Sequence, residues 1–353
     1  MSEYLGRKVK AISFFAIILV VFVHSYNAKI KFASGELGDG TSSAVLFTEH
    51  FISKGICRIV VPLFFLISGF LFYQTFDLSM EGVIDKYKKR IKSLVIPYLF
   101  WSVSGVLLFV FLQALPFSNF FFTRGLIMDY PFSKLMLTVF IDPIPYQLWF
   151  IRDLVILVLF SPLIAYLTKS TRGLWILALV ALWYLTPNSF GGFNNESLLF
   201  FAAGCYLALN KQEQLLSPSR SNRFLPYLVV TWLLIVSYTS YYLTFDSSKT
   251  LFHLLDYTGV LLGILSVWFL YDYLFHLERD FALFKYTFII FALHEPLLTV
   301  IVKGLFYLWG KTNLSTLSIY LLAPLLTILI CLFCAKVWKR IAPGFYNFAT
   351  GGR

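Results

Sequence analysis

Residues 14–27 read FFAIILVVFVHSYN. Ten apolar residues run from Phe14 to Val23 and end at His24. Extended to about 11–28, the segment has the length and apolarity of a helix lying in a bilayer. A histidine at membrane depth is costly unless it faces protein or water, which makes His24 a candidate functional group. The competing account is an interfacial histidine satisfied by a backbone carbonyl, and placement alone leaves both open.

The rest of the chain extends this pattern. Of 353 residues, 59% are hydrophobic and 13% charged, about half the charged fraction of an ordinary soluble domain. The deficit is spread along the whole length, which predicts an all-α polytopic membrane protein rather than a soluble domain with one anchor. The 39 Phe, 21 Tyr and 8 Trp suit lipid-facing surfaces and interfacial belts. The net charge of +11 reads as cytoplasmic-loop basicity, not as a nucleic-acid surface. Cys57, Cys205, Cys331 and Cys334 all lie in apolar runs. The last two form a CxxC inside a span with no second pair and no nearby His, so packing is expected and no metal. The basic N-terminus followed by an apolar run lacks a small-residue cleavage site, and is read as an uncleaved first span.

Ten spans are expected, at about 11–28, 54–76, 93–115, 147–168, 173–188, 196–210, 224–244, 254–276, 285–309 and 316–338. An even number puts both termini on one side. Alternate loops then gather 19 of the 29 Lys and Arg, among them Arg7, Lys8, Lys10, the run from Lys86 to Lys92, Lys211, Arg220, Arg279 and Arg353. The basic set marks the cytoplasm, so both termini are expected inside. The fifth and sixth spans are short and flank a turn-rich loop at 186–195, TPNSFGGFNN. The largest outer connections are about 29–53 and 116–146, and no appended soluble domain is expected: 1–353 reads as one transmembrane domain.

Topology gives each polar residue a depth. His24 falls in the outer half of the first span, and Arg58 in the outer half of the second. Arg152 and Asp153, in QLWFIRDL, sit just inside the outer end of the fourth span, and Glu196 opens the sixth from the same side. Any one of them alone reads as a snorkelling charge, and Arg152 with Asp153 and Trp149 fits an interfacial anchor. Four spans converging on one level favour a buried polar site. Toward the cytoplasm, KYKKRIK at 86–92 opens the third span. It reads either as positive-inside anchoring or as a landing site for phosphates of a cytosolic carrier. His294 and Glu295, just before Pro296, lie in the inner half of the ninth span. A proline there frees carbonyls and marks a cavity wall; His294 is either a partner for those carbonyls or a ligand group. In the functional account His24 acts as general base on an acceptor hydroxyl, and Arg58 or Arg152 stabilises an oxyanion or holds the acceptor.

At this point the segments resemble the integral-membrane acyltransferase family 3, which includes surface-polysaccharide O-acetyltransferases. In family order they are AIILVVFVHS at 16–25, RIVVPLFFLISGFLF at 58–72, KRIKSLVIPYLFW at 89–101, QLWFIRDLVILVLFSPLI at 147–164, ESLLFFAAGCYLA at 196–208 and KYTFIIFALHEPLL at 285–298. Each is a weak apolar pattern; the ordered set covers most of the chain. The resemblance implies about ten core spans and transfer of an acyl group, usually acetyl from cytosolic acetyl-CoA, to a hydroxyl of a glycan or lipid-linked sugar. It implies a catalytic role for His24 and matches Lys89 and Arg90 to the family's third-span basic residues. One departure stands out: many members carry an arginine eleven residues before the histidine, where this chain has Ser13.

The expected protein is thus a bacterial-type, inner-membrane O-acyltransferase with acetyl-CoA as donor substrate. Its catalytic candidates are His24 and Arg58. Arg152, Asp153, Trp149, Glu196, His294 and Glu295 are expected at the substrate, and Lys88, Lys89 and Arg90 at the carrier. The partners expected are acyl-CoA, a glycan or lipid-linked acceptor and the bilayer. Two rivals remain. A transporter or flippase of glycan intermediates predicts matching broken spans in two halves. A scaffold protein predicts that the polar spots only pack helices.

Overall fold

A computed structural model of the chain describes residues 2–27, 30–32, 35–37, 41–116, 125–185, 194–210, 215, 218, 223–245, 250–274 and 282–352. Lys211, Arg220, Arg279 and Arg353, most of the turn-rich loop at 186–195, and parts of the connections at 29–53 and 116–146 lie outside the described residues.

The architecture is helical. α1 (Glu3–His24) leads to a small antiparallel hairpin, β1 (Ile30–Phe32) with β2 (Gly35–Leu37), whose backbone register pairs position 31 with position 36. α2 (Ser43–Glu49) runs through a widened π turn and a tightened 3-10 turn into α3 (Val60–Tyr73). α4 (Met80–Arg90) passes through another π turn into α5 (Ile96–Gln113). Then follow α6 (Phe132–Phe140), α7 (Trp149–Leu159), α8 (Ser161–Ser170), α9 (Leu174–Leu185), α10 (Asn195–Asn210), α11 (Leu225–Phe245), α12 (Thr250–Leu274), α13 (Thr287–Trp309), α14 (Asn313–Ile341) and α15 (Pro343–Thr350).

Six helical stretches are long and apolar enough to cross a membrane: Ser43–Tyr73, Met80–Gln113, Leu225–Phe245, Leu251–Leu274, Phe284–Trp309 and Asn313–Ile341. Their mid-helix side chains include Leu107, Phe111, Leu234, Leu329 and Phe333, all exposed, as a lipid-facing surface requires. The fourth expected span is a pair, Tyr146–Leu159 and Ser161–Ser170, bent by 61°; Pro162 has no N–H to continue the ladder there. The remaining three windows also hold helices, with physical reasons for falling short. α1 carries Arg7, Lys8 and Lys10 in every 18-residue window. α9 has 12 residues and α10 has 16, spanning about 18 and 24 Å at 1.5 Å per residue, against a hydrocarbon core of about 30 Å.

The chain forms two compact units: Met1–Val23, His50–Lys88 and Asp153–Thr287 in the first, and His24–Glu49, Lys89–Arg152 and Phe288–Arg353 in the second. In the first, α3 and α10 meet at two glycines. A Cβ on Gly69 would collide with the Phe201 carbonyl, and one on Gly204 with the Leu66 carbonyl, so backbones approach as in small-residue membrane interfaces. In the second, α6 lies along α5. Tyr98 Oη donates to the Phe140 carbonyl at 3.0 Å and Ser102 Oγ to Val139 at 2.7 Å. Trp101 Nε1 donates to the Ala349 carbonyl at 2.9 Å, fixing α15 against α5.

Candidate active site

His24 is the last residue of α1, in the second unit, and its Nδ1 is hydrogen-bonded to the Tyr146 hydroxyl. The two rings meet edge-on, with centroids 5.0 Å apart. Tyr146 opens the 3-10 turn Tyr146–Leu148 that leads into α7. Its hydroxyl also engages the Glu295 side chain on α13. Glu295 Oε1 in turn accepts from Thr299 Oγ1 at 3.2 Å, one helical turn on, and Lys303 supplies an attractive charge a further turn away.

The ionised form of Glu295 sets the protons along this order. An ionised carboxylate only accepts hydrogen bonds. With Glu295 ionised, the Tyr146 proton points to it and the Tyr146 oxygen accepts from His24. The His24 proton then sits on Nδ1 and its lone pair on Nε2. That is the arrangement of a general base oriented by a second group and backed by a carboxylate. Tyr146 is 44% exposed, so the group is reached from outside the helix packing.

His294 lies beside it, fully buried, with its ring 5.3 Å from that of His24 and tilted by 30°. His294 Nδ1 faces the carbonyls of Ile290 at 3.0 Å and Phe291 at 2.8 Å, so it must carry a proton. These carbonyls lie two and one residues before the one that Pro296 frees. Pro296 lacks the N–H that Ala292 would accept, and the Ala292 carbonyl receives Gln147 Nε2 at 3.3 Å instead. Next to His24, Ser25 Oγ donates to the Tyr320 carbonyl at 2.9 Å. Asn27 bridges Glu49 (2.7 Å) and the Tyr320 N–H (3.3 Å) when its amide is oriented to match donors with acceptors.

Arg58, Glu196 and Asp153 belong to the first unit and form a different kind of assembly. Arg58 Nη1 and Nη2 fork onto Glu196 at 2.8 and 2.6 Å, while Nε donates to Asp256 at 3.2 Å. Trp183 Nε1 donates to Glu196 Oε2 at 3.1 Å. A small cavity beside the network is lined by Arg58, Thr239 and Asp256. Asp153 is buried and accepts from Ser197 Oγ at 3.3 Å. A second buried pair joins Lys8 Nζ to Asp272 at 2.8 Å; the Tyr4 hydroxyl bonds the same carboxylate and Lys8 lies 4.0 Å above the Trp268 ring.

The other expected residues are placed plainly. Arg152 Nη1 donates to the Ile141 carbonyl at 2.8 Å, and Trp149 is half-buried at the start of α7. Lys88 and Lys89 are exposed and Arg90 is half-buried at the end of α4. Among the described residues no cluster of three His, Cys, Asp or Glu side chains has metal-site geometry. Sequence reasoning passed over Tyr146, Gln147, Ser25, Asp256 and Asp272. Asp256 and Asp272 carried a usable signal, an acid within an apolar span. Tyr146 carried only its place between Pro145 and the QLWF motif.

The succinoglycan biosynthesis protein ExoH of Rhizobium meliloti (strain 1021) is 26% identical over 366 aligned residues, covering 100% of this chain and 94% of the relative. No solved structure matches the chain. The family model described as acyltransferase domain matches residues 10–336, nearly the whole length, and the protein belongs to that family, acyltransferase family 3.

Proposed function

We propose that the protein is a membrane O-acyltransferase that moves an acyl group, acetyl in the first instance, from cytosolic acyl-CoA to a hydroxyl of a cell-surface glycan or lipid-linked sugar. The observation that supports this reading is the run of contacts His24–Tyr146–Glu295, in which the Tyr146 hydroxyl holds one ring nitrogen of His24 and meets the Glu295 side chain. In the reaction His24 takes the acceptor hydroxyl's proton as the oxygen attacks the thioester carbon. The new C–O bond forms, the C–S bond breaks, and the proton passes to the departing thiolate, giving free CoA and the ester. An imidazole titrates near neutrality and suits both transfers.

Lys88, Lys89 and Arg90 hold the phosphates of the carrier at the cytoplasmic end. Trp149, Arg152 and His294 of the second unit, and separately Asp153 and Glu196 of the first, are the candidates for acceptor contact in this reading. Arg58 is committed to two carboxylates, so in this reading it braces Glu196 and Asp256 for acceptor hydroxyls. The match to a protein named for succinoglycan biosynthesis supports a glycan acceptor. The reading carries with it one domain over 1–353, about ten spans, both termini cytoplasmic, and the bacterial inner membrane as the site of action.

The test is CoA thiol release from acetyl-CoA by purified protein in lipid nanodiscs, with and without a crude glycan acceptor. Asparagine at 24 keeps an amide near the Nδ1 position and lacks the base. His24→Asn is expected to fold like the wild type and to lose release by about 10³-fold. Equal release from both proteins removes His24 from the mechanism. No release with any acceptor or other short acyl-CoA, and no acyl-CoA binding, removes the transferase reading.

A further inference from the structure

From the second unit we infer that Pro296 and Pro324 act, through the carbonyls they free, as two sockets that hold the His24–Tyr146 pair in register, with Gln147 and Ser25 as positioning residues. The inference rests on the transferase reading for its rate measurements and on geometry for the rest.

A proline at position i of a helix removes the hydrogen bond to the carbonyl at i−4. In an apolar helix that carbonyl must find another donor. The second unit has a proline inside each of two long helices: Pro296 in α13 and Pro324 in α14. The carbonyls they free are those of Ala292 and Tyr320. Each is met by one side chain, Gln147 Nε2 at 3.3 Å and Ser25 Oγ at 2.9 Å. Both donors are nearly fully buried, at 2% and 1% exposure.

These two donors are the immediate chain neighbours of Tyr146 and His24, which are hydrogen-bonded to each other. Both pairs also sit where regular helix gives out. His24 ends α1 and Ser25 begins a turn, while Tyr146 and Gln147 occupy a 3-10 turn before α7. Chain ends of this kind have no continuing ladder to fix their rotation about the helix axis. A side chain plugged into a carbonyl one residue away supplies that constraint. Gln147 assigns itself: facing a carbonyl, the amide must present nitrogen.

The test separates positioning from simple satisfaction of a buried carbonyl. Gln147→Met is expected to lower kcat by about 10- to 100-fold, as a displacement near 1 Å does, with KM for acetyl-CoA unchanged. Adding Pro296→Ala returns a helix N–H to the Ala292 carbonyl and removes the need for Gln147. The melting temperature of Gln147→Met/Pro296→Ala then recovers to the wild-type value or above, while kcat stays low. Ser25→Ala with Pro324→Ala is the matching pair, and Ser25→Thr, which keeps the hydroxyl, keeps the rate. Recovery of kcat together with melting temperature in both double variants overturns the inference. The 15N spectrum of His24 decides it without turnover. The wild type shows a protonated Nδ1 in a strong hydrogen bond, and its shift moves in the double variants. An inactive wild type whose His24 signal is also unchanged in the double variants sinks both readings; an inactive wild type whose signal moves sinks only the transferase.

Discussion

Two polar assemblies sit among apolar helices and differ in what they leave over. In the first unit Arg58 is engaged through all three guanidinium nitrogens by Glu196 and Asp256, with Trp183 adding a further donor to Glu196. In the second unit His24 meets Tyr146 through one ring nitrogen, and Tyr146 passes the interaction to Glu295. The first assembly sets charge against charge; the second orients an imidazole through a hydroxyl. Ionisable groups set among apolar helices mark both as functional candidates. What distinguishes them is the partner: a guanidinium held by two carboxylates in one, an imidazole held by a phenol hydroxyl in the other.

The comparison breaks most directly at His24. His24→Asn is expected to lose about 10³-fold in acceptor-dependent thiol release with little change in melting temperature; a small rate effect would place the basic group elsewhere. Arg58→Met should act first on stability. It leaves two carboxylates without their cation, and the cost of breaking such a buried pair is about 3 kcal/mol or more. Thermal unfolding in nanodiscs should show the drop, and Arg58→Met/Glu196→Gln should recover part of it. Tyr146→Phe removes the link between His24 and Glu295 but keeps the ring, so a loss of about 10- to 100-fold in kcat at constant fold is expected, roughly the 1.4–2.8 kcal/mol of a misoriented base. A wild-type rate in that variant would show that Tyr146 only packs. The smallest effect belongs to the buried Lys8–Asp272 pair of the first unit. Replacing both members, Lys8→Met with Asp272→Leu, removes the charges together, and stability should stay within about 1 kcal/mol of the wild type with transfer unchanged.

Much of this was legible in the sequence, and the remainder failed for identifiable reasons. The apolar runs located the helices because hydropathy needs no partner to be read. His24, His294 and Glu295 stood out because ionisable groups are expensive in lipid, and Pro296 pointed to carbonyls in need of donors. Which donor would arrive was not readable: Gln147 is 145 residues from Ala292. Tyr146 was missed because a tyrosine beside an apolar run looks like any interfacial aromatic; only its contact with His24, 122 residues away, distinguishes it. Lys8 illustrates the opposite error of emphasis. Grouped with the basic N-terminus it reads as a solvated anchor, whereas the fold buries it to 1% exposure against Asp272. Loop charge statistics describe populations, and a single lysine can leave the population when an acid waits on a neighbouring helix.

That last pair has a consequence in time. Lys8 and Asp272 are 264 residues apart. At typical synthesis rates, roughly 13 to 50 seconds separate their appearance from the ribosome. Throughout that interval the first helix carries a cation whose final partner has not been made. Arg58 waits in the same way, 138 residues for Glu196 and 198 for Asp256. The first unit therefore closes only when its late helices are inserted, and its early ones must be sheltered by headgroups or insertion machinery until then. Variants that slow or misplace the helix carrying Asp256 and Asp272 will accumulate as chains whose N-terminal helices are already in the membrane and still unmated.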